Sequence, residues 1–240
     1  MSATPCRLSN LPYLYPEMAK ILNLETATTN CSVSIAEDSE ILALKEHNTP
    51  NYSHSEQLHV FIGEVLAQAE INISELDAIA VSKGPGSYTG LRIGVSAAKG
   101  LCFSLDIPLI SIATLESMAH QVEPDASDFI VPVLDARRME VYSAVFDAER
   151  LQIRETKAEI VDDRSFHDYI DKGSVRIVGT GAEKCKELLL PKDVQFDTTI
   201  VPSAREMATL SHKKFEEGNF EEVAYFEPYY LKDFILQQKK

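Results

Sequence analysis

Residues 21–37 read ILNLETATTNCSVSIAE and decide the fold that we expect of this chain. Apolar residues lead to Glu25, a polar turn follows, and apolar residues then alternate with polar ones, which is the period of a half-buried strand. A third segment of strand composition comes next. We therefore expect an antiparallel meander of three strands, at 21–26, 31–37 and 41–47.

Helices and strands alternate after this meander. The apolar periodicity predicts a helix at about 54–70, a strand at 78–82, a glycine-rich turn at 84–90, a helix to about 105, a strand at 108–112 and a short helix at 115–122. Three antiparallel strands followed by such an alternation are typical of an α/β layer in which helices cover a mixed sheet, the ribonuclease-H-like plan.

A second unit begins at Phe129 and opens as the first one does. Leu134-Asp135-Ala136 ends an apolar run, and a turn and an alternating strand follow, as they do after Leu24-Glu25-Thr26-Ala27. This echo indicates an internal duplication of the actin-like and sugar-kinase-like type, with two mixed-sheet α/β domains.

The polar link at 123–128 marks the boundary between the two units. We expect an irregular N-terminal extension at 1–17, a first domain at 18–123 and a smaller second domain with a C-terminal tail at 124–240. Helices of the second domain are predicted near 163–172, 182–190 and 203–217, and strands near 153–161 and 175–178. Met18 is a second candidate for the initiating residue.

Charge and cysteine usage exclude several classes of protein. The 240 residues include 23 basic and 37 acidic side chains, a net charge of −14, which disfavours unaided binding to nucleic acid or anionic membranes. The four cysteines are far apart and indicate neither a disulfide framework nor a zinc site. Neither an export signal nor a membrane-spanning run is found, so a cytoplasmic location is expected.

The most distinctive motif is Gly84-Pro85-Gly86-Ser87-Tyr88-Thr89-Gly90, between a predicted strand and a predicted helix. Backbone N–H groups at such a place can bind an anion, but the spacing matches neither the dinucleotide fingerprint nor the Walker loop. A tight strand-to-helix turn and a vestigial phosphate site both remain open. The candidate residues of the phosphate site are Glu25, Thr26, Gly84, Gly86, Ser87 and Thr89.

The other candidates for chemistry are weaker. Asp135 occupies the place of Glu25 in the second unit, and a salt bridge with Arg137 or Arg138 is the favoured explanation for it. His54 and His59 are five residues apart and would lie roughly 140° apart around a helix, so no metal site is predicted. The sequence spacing assembles no nucleophile with its base, and we predict no catalytic residue.

Both helices of the first domain carry more apolar surface than one sheet can cover. Small residues repeat on each helix beside the stripe expected to face the sheet. The second domain or the companion helix could cover this surface, but we favour a partner protein. The predicted interface residues are His59, Val60, Gly63, Ala67, Gly90, Arg92, Gly94 and Ala98.

Four segments together resemble the bacterial TsaB family, also called YeaZ. They are 21–27, 54–56, 84–94 and 135–142, and the resemblance runs from Met18 to about Tyr230. It implies an actin-like protein of two domains that works in making threonylcarbamoyladenosine beside the anticodon of tRNAs that read codons beginning with adenine.

The resemblance also implies a division of labour. The paralogue TsaD holds the metal and transfers the threonylcarbamoyl group, the ATPase TsaE joins the pair, and the TsaB-like chain is a non-catalytic subunit that pairs through its first-domain helices. ATP, metal and tRNA contacts are then expected in the partners, with a homodimer when the chain is alone and no membrane binding. TsaD carries two histidines four apart where this chain has His54 and Leu58.

Two alternatives belong to other functional classes. An actin-like ATPase or kinase would use Glu25 and the 84–90 loop as working parts of its own nucleotide site. A glycopeptidase would need an activated nucleophile or an intact metal site, and the sequence supplies neither.

Overall fold

The computed structural model describes residues 18–49, 54–124, 126–189 and 194–231. A first sheet holds the predicted meander, whose strands are antiparallel neighbours, followed by two strands parallel to the first. Its spatial order is β3-β2-β1-β4-β5. The strands are β1 (Lys20–Glu25), β2 (Asn30–Glu37), β3 (Glu40–Asn48), β4 (Ala78–Gly84) and β5 (Leu109–Ala113).

The second sheet repeats this plan. Its strands are β6 (Phe129–Asp135), β7 (Glu140–Asp147), β8 (Gln152–Ile160), β9 (Val175–Val178) and β10 (Val194–Asp197). The spatial order β8-β7-β6-β9-β10 is again third, second, first, fourth and fifth, and the first strand again pairs antiparallel with the second and parallel with the fourth. The predicted duplication is therefore confirmed at the level of topology.

The duplication extends to the turn that follows the first strand of each sheet. In the first unit, Glu25 Oε1 accepts a hydrogen bond from the Ala27 backbone N–H at 2.6 Å. In the second unit, Asp135 Oδ1 accepts one from the Arg137 backbone N–H, also at 2.6 Å. The sequence echo between these turns thus reflects the same hydrogen bond from a backbone N–H to the carboxylate two residues earlier.

The first sheet has a helix pair on one face. The helices α1 (His54–Ala69) and α2 (Tyr88–Leu105) agree with the predicted ones and bury their apolar sides against β1 to β5. A short helix, α3 (Thr114–Ala119), follows β5. The second sheet carries α4 (His167–Ile170) and α5 (Ala182–Leu188) on one face.

The last helix, α6 (Ala204–Glu216), corrects one prediction. Chain order groups it with the second unit, but it packs on the first sheet, where Met207 and Leu210 meet Ile21, Ala80 and Ile110. An apolar stripe fixes which side of a helix is buried and carries no information about which sheet buries it.

The exchange is reciprocal. Although α3 precedes the second unit, Leu115 and Met118 of α3 pack against Ile130, Leu134 and Phe146 of the second sheet. Helix α3 also contacts α6. Each half of the chain therefore supplies one helix to the other half, while the expected limits at 18–123 and 124–240 stay predictions. The expected extension at 1–17 lies outside the described residues.

The chain after α6 also returns to the first unit. Residues 219–231, here called the strap, begin along β5, where the Glu221 N–H donates to Leu109 O at 2.8 Å. They end along β4, where the Tyr229 N–H donates to Lys83 O at 2.7 Å. Within the described ranges, no helix combines the length and the hydropathy that crossing a bilayer requires.

The packing of α6 predicts a difference between two of its residues. Met207 is fully buried and Thr209 is exposed. Met207→Ala should lower the free energy of unfolding by about 2–5 kcal/mol, because it leaves a cavity between α6 and the sheet. Thr209→Ala should change it by less than about 0.5 kcal/mol. Urea denaturation of both variants checks this, and equal effects would contradict the assigned packing.

Candidate functional site

Three glycines at four-residue intervals, Gly86, Gly90 and Gly94, form a narrow recess at the start of α2, here called the glycine groove. A methyl group on Gly86 would overlap the carbonyl oxygen of Ala27, one on Gly90 would overlap that of Thr26, and one on Gly94 would overlap the Thr26 hydroxyl. The groove therefore holds the turn that leaves β1. Glycine is required at 86 and 90 by this close approach of the backbone, and at 94 by the side chain of Thr26.

Two backbone N–H donors at the start of α2 are bound within the chain. The Ser87 N–H donates to Ala27 O at 2.6 Å, and the Ser87 hydroxyl caps the helix by accepting from the Gly90 N–H at 3.2 Å. A phosphate at a helix N-terminus needs such N–H groups free. The geometry thus accounts for the motif as a strand-to-helix turn, with Thr89 exposed beside it.

Glu25 lies beneath this loop rather than at a surface. It is fully buried, and its Oε2 has no hydrogen-bond partner among the described residues. Burial raises the pKa of the carboxyl from the ordinary value of 4.5 to about 7, against the opposing effect of hydrogen bonds from Ala27, Ser82 and Thr26. The carboxylate does not reach the cleft between the two units.

The cleft between the two units measures about 860 Å³. The turn at 27–29 and the loop at 85–89 face residues 134–137 of the second unit across it. Asp135 forms an ion pair with Lys184, whose Nζ lies 2.7 Å from Oδ1. The predicted salt bridge with Arg137 or Arg138 is therefore wrong, because the cation that pairs with Asp135 is Lys184 of α5.

The histidines of α1 are far from a metal-binding arrangement. His54 is buried, and its Nε2 lies 2.6 Å from the carbonyl oxygen of Thr28, while burial lowers its pKa. His59 is exposed, and Leu58 between them is part of the core. Across the described residues, no group of three or more His, Cys, Asp or Glu side chains could hold an ion.

The α1 half of the predicted interface is open to solvent. His59, Val60, Gly63 and Ala67 are all exposed, and Val60 keeps 55% of its surface. A methyl group on Gly63 would meet nothing within 4 Å. This side of α1 is therefore free for a partner.

The α2 half requires a correction. Gly90, Gly94 and Ala98 are buried, so they cannot form an exposed stripe. The small size of Gly90 and Gly94 admits the chain's own turn at 26–27, not a partner helix, and Ala98 packs in the first core. Phe103, which the sequence reasoning missed, is 85% exposed.

The exposed face of α2 is offset from the predicted stripe. It presents Arg92, Ser96 and Gly100, and the four-residue spacing of these polar and small residues was the signal that could have found it.

A second, open groove of about 720 Å³, here called the α1/α2 groove, runs between the exposed sides of α1 and α2. It is lined by Ser55 and His59 of α1 and by residues of α2 from Tyr88 to Leu101, including Arg92. None of the described residues that line it is acidic, although the chain carries a net charge of −14. The surface is therefore set apart from the rest of the molecule by its charge.

Residues 49–172 match the family described as TsaD, tRNA N6-adenosine threonylcarbamoyltransferase, over just more than half of the 240 residues. The chain belongs to the TsaD family, among its TsaB (YeaZ) members. The TsaB protein of Escherichia coli K12, named for tRNA threonylcarbamoyladenosine biosynthesis, is 29% identical over 92% of this chain and 97% of its own length. The TsaB protein of Haemophilus influenzae is 28% identical over 91% of this chain and 96% of its own.

The solved structure of YeaZ from Pseudomonas aeruginosa is similar throughout. It superposes with a TM-score of 0.80 at 25% identity and covers 89% of this chain and all of that one. Together with the repeated sheet order, this similarity confirms the predicted TsaB-like fold of two mixed α/β sheets built on one duplicated plan.

The glycine groove predicts opposite outcomes for two alanine substitutions in α2. Gly94→Ala should lower the free energy of unfolding by about 1–3 kcal/mol, because the methyl group displaces Thr26. Gly100→Ala should raise it by about 0.5–1 kcal/mol, because nothing lies within 4 Å and alanine favours the helix. Thermal and urea unfolding measure both, and stabilisation by Gly94→Ala would refute the close approach.

Burial of Glu25 predicts a pH-dependent stability. Because its pKa rises from 4.5 to about 7, the folded chain binds this proton more tightly than the unfolded chain. Stability should therefore fall by about 3 kcal/mol as the pH rises through that range. Glu25→Gln should remove this slope, as measured by urea unfolding from pH 4.5 to 8.

The matched control for this measurement is Glu149→Gln, at an exposed glutamate. It should leave the wild-type slope in place. If Glu25→Gln and Glu149→Gln give the same slope as the wild type, the buried carboxylate does not titrate as described.

Proposed function

We propose that this chain is a non-catalytic subunit in the biosynthesis of threonylcarbamoyladenosine in tRNA, and that it pairs with a TsaD-type transferase. The names of its relatives support the pathway. The observation that carries the subunit role is a contrast within the first unit. The motif that resembles a phosphate loop is occupied by the chain's own turn, whereas the α1/α2 groove lies open.

The α1/α2 groove is the proposed pairing surface. Val60, Phe103 and the aliphatic residues of the groove offer apolar contact, and Gly63 and Ala67 let a partner backbone approach. The same surface would serve a second copy of the chain when the transferase is absent.

Nucleotide, metal and tRNA are proposed to bind to the partners. Glu25 is buried away from the cleft, and Leu58 stands where TsaD carries its second histidine, which supports this division. A net charge of −14 favours tRNA contacts through a partner. In this proposal the ATPase TsaE joins the paired subunits, and the complex works in the cytoplasm.

The function can be tested in the host cell. Depleting this protein should remove threonylcarbamoyladenosine from bulk tRNA, as measured by nucleoside mass spectrometry. A rescue copy with Glu25→Gln should restore the nucleoside, because a scaffold does not need that carboxylate. A copy with Gly63→Arg should fail, because an arginine there blocks the groove side of α1 while nothing of the chain itself lies within 4 Å.

The control is Gly63→Ala, which keeps the position small and should rescue. Immunoblots check that all copies reach the wild-type level. Unchanged modification after verified depletion would refute the pathway, failure of a folded Glu25→Gln copy would refute the scaffold role, and rescue by Gly63→Arg would refute the assigned surface.

A further inference from the structure

We infer that the partner surface does not end at the helix groove but continues over Tyr88 and Arg92 onto the strap at Tyr230, and that it takes a carboxylate of the partner protein at Arg92. This inference rests on the proposed function, because the partner is the TsaD-type subunit. It adds the chemistry by which the partner is recognised.

Arg92 is an exposed cation held in place at the mouth of the groove. Its Nη1 donates to the Tyr88 hydroxyl at 3.1 Å, and its Cζ lies 5.4 Å from the centre of the Tyr88 ring. No carboxylate of the described chain lies within 4.0 Å of its guanidinium nitrogens. Its remaining N–H donors form the planar fork that binds a carboxylate through two hydrogen bonds.

Tyr230 extends this site onto the strap. Its ring centre lies 4.9 Å from that of Tyr88, with the planes tilted by 38°. Both rings are partly exposed. Arg92, Tyr88 and Tyr230 therefore form one continuous aromatic and cationic surface across two segments that are more than 130 residues apart in sequence.

The strap is tied to α2 and β4, so Tyr230 has a fixed position relative to Arg92. Lys99 Nζ of α2 donates to Phe226 O at 2.9 Å and to Ala224 O at 3.1 Å. The side chain of Phe226 packs on the first core. A surface held in this way loses little conformational entropy when a partner binds.

Charge decides which partner group fits. The groove is lined by Arg92 and His59 and by no described acidic residue. The acidic residues of the strap lie on the other side of Tyr229 and Tyr230, where they line a separate depression together with glutamates of α3 and β8. A partner carboxylate would be repelled there and attracted at Arg92. The glutamates of that depression are Glu116, Glu155, Glu221, Glu222 and Glu227.

The test is a binding titration with the purified TsaD-type subunit of the same organism, by calorimetry at low and high salt. Arg92→Met should weaken binding about ten-fold at low salt and abolish most of the salt dependence, because it removes the charge and keeps an apolar side chain. Tyr230→Ala should weaken binding about five-fold, because it removes the aromatic ring that packs beside Tyr88.

Two controls match these variants in residue type. Arg205→Met removes an exposed arginine on α6, and Tyr225→Ala removes a strap tyrosine that is 79% exposed and lines the acidic depression. Both should bind as the wild type does. Thermal unfolding checks that every variant folds.

The outcomes separate the two proposals. If Gly63→Arg abolishes binding while Tyr230→Ala and Tyr225→Ala both bind as the wild type, the strap is not part of the surface and the inference is wrong. If Arg92→Met keeps the wild-type salt dependence, no partner carboxylate binds there and the inference is wrong. If Gly63→Arg itself binds as the wild type, the assigned groove is wrong and the proposed pairing fails with it.

Discussion

The packing of the turn at 26–27 into the glycine groove of α2 is the contact on which the first unit depends. It joins the end of the first strand to the start of the second helix, and it leaves room for no side chain at Gly90 or Gly94. The same contact encloses Glu25 and uses the N–H of Ser87. A single steric constraint thereby accounts for the motif, for the buried carboxylate and for the occupied helix terminus.

The two units share one order of strands and differ in the environment of the carboxylate that follows the first strand. In the first, the carboxylate after the first strand is sealed beneath the loop, whereas Asp135 in the second is partly exposed and paired with Lys184. The open surface of the first unit lies on the helices instead, where Arg92 and no described acidic residue lines the α1/α2 groove. This distribution supports the proposed role as an assembly subunit, in which the groups that recognise a partner lie on the surface.

The spacing of apolar residues and the composition of turns predicted the elements whose conformation depends on residues near in sequence. The meander, the helices at 54–69 and 88–105 and the repeated turn follow from side-chain period and turn composition. The exposure of the α1 stripe also followed from its spacing. By contrast, β10 is only four residues long, and its alternation of apolar and polar residues is too weak to predict a strand. The repeat of Gly90 and Gly94 indicated that a neighbour comes close to α2, but it did not indicate that the neighbour is the chain's own turn at 26–27. The sheet that α6 covers depends on distant contacts, which no local period encodes.

The exchange of α3 and α6 has a consequence for how the protein is made. The first sheet is synthesised early, but the helix α6 that covers its second face follows the whole second unit in the chain and is made after it. Until then, the apolar face formed by Ile21, Ala80 and Ile110 has no covering helix from its own unit. Folding must therefore close a loop that spans the whole second unit, and contacts so distant in sequence form slowly and leave apolar surface open in the meantime. A chain that is released before α6 is synthesised therefore has a first sheet that is open on one face.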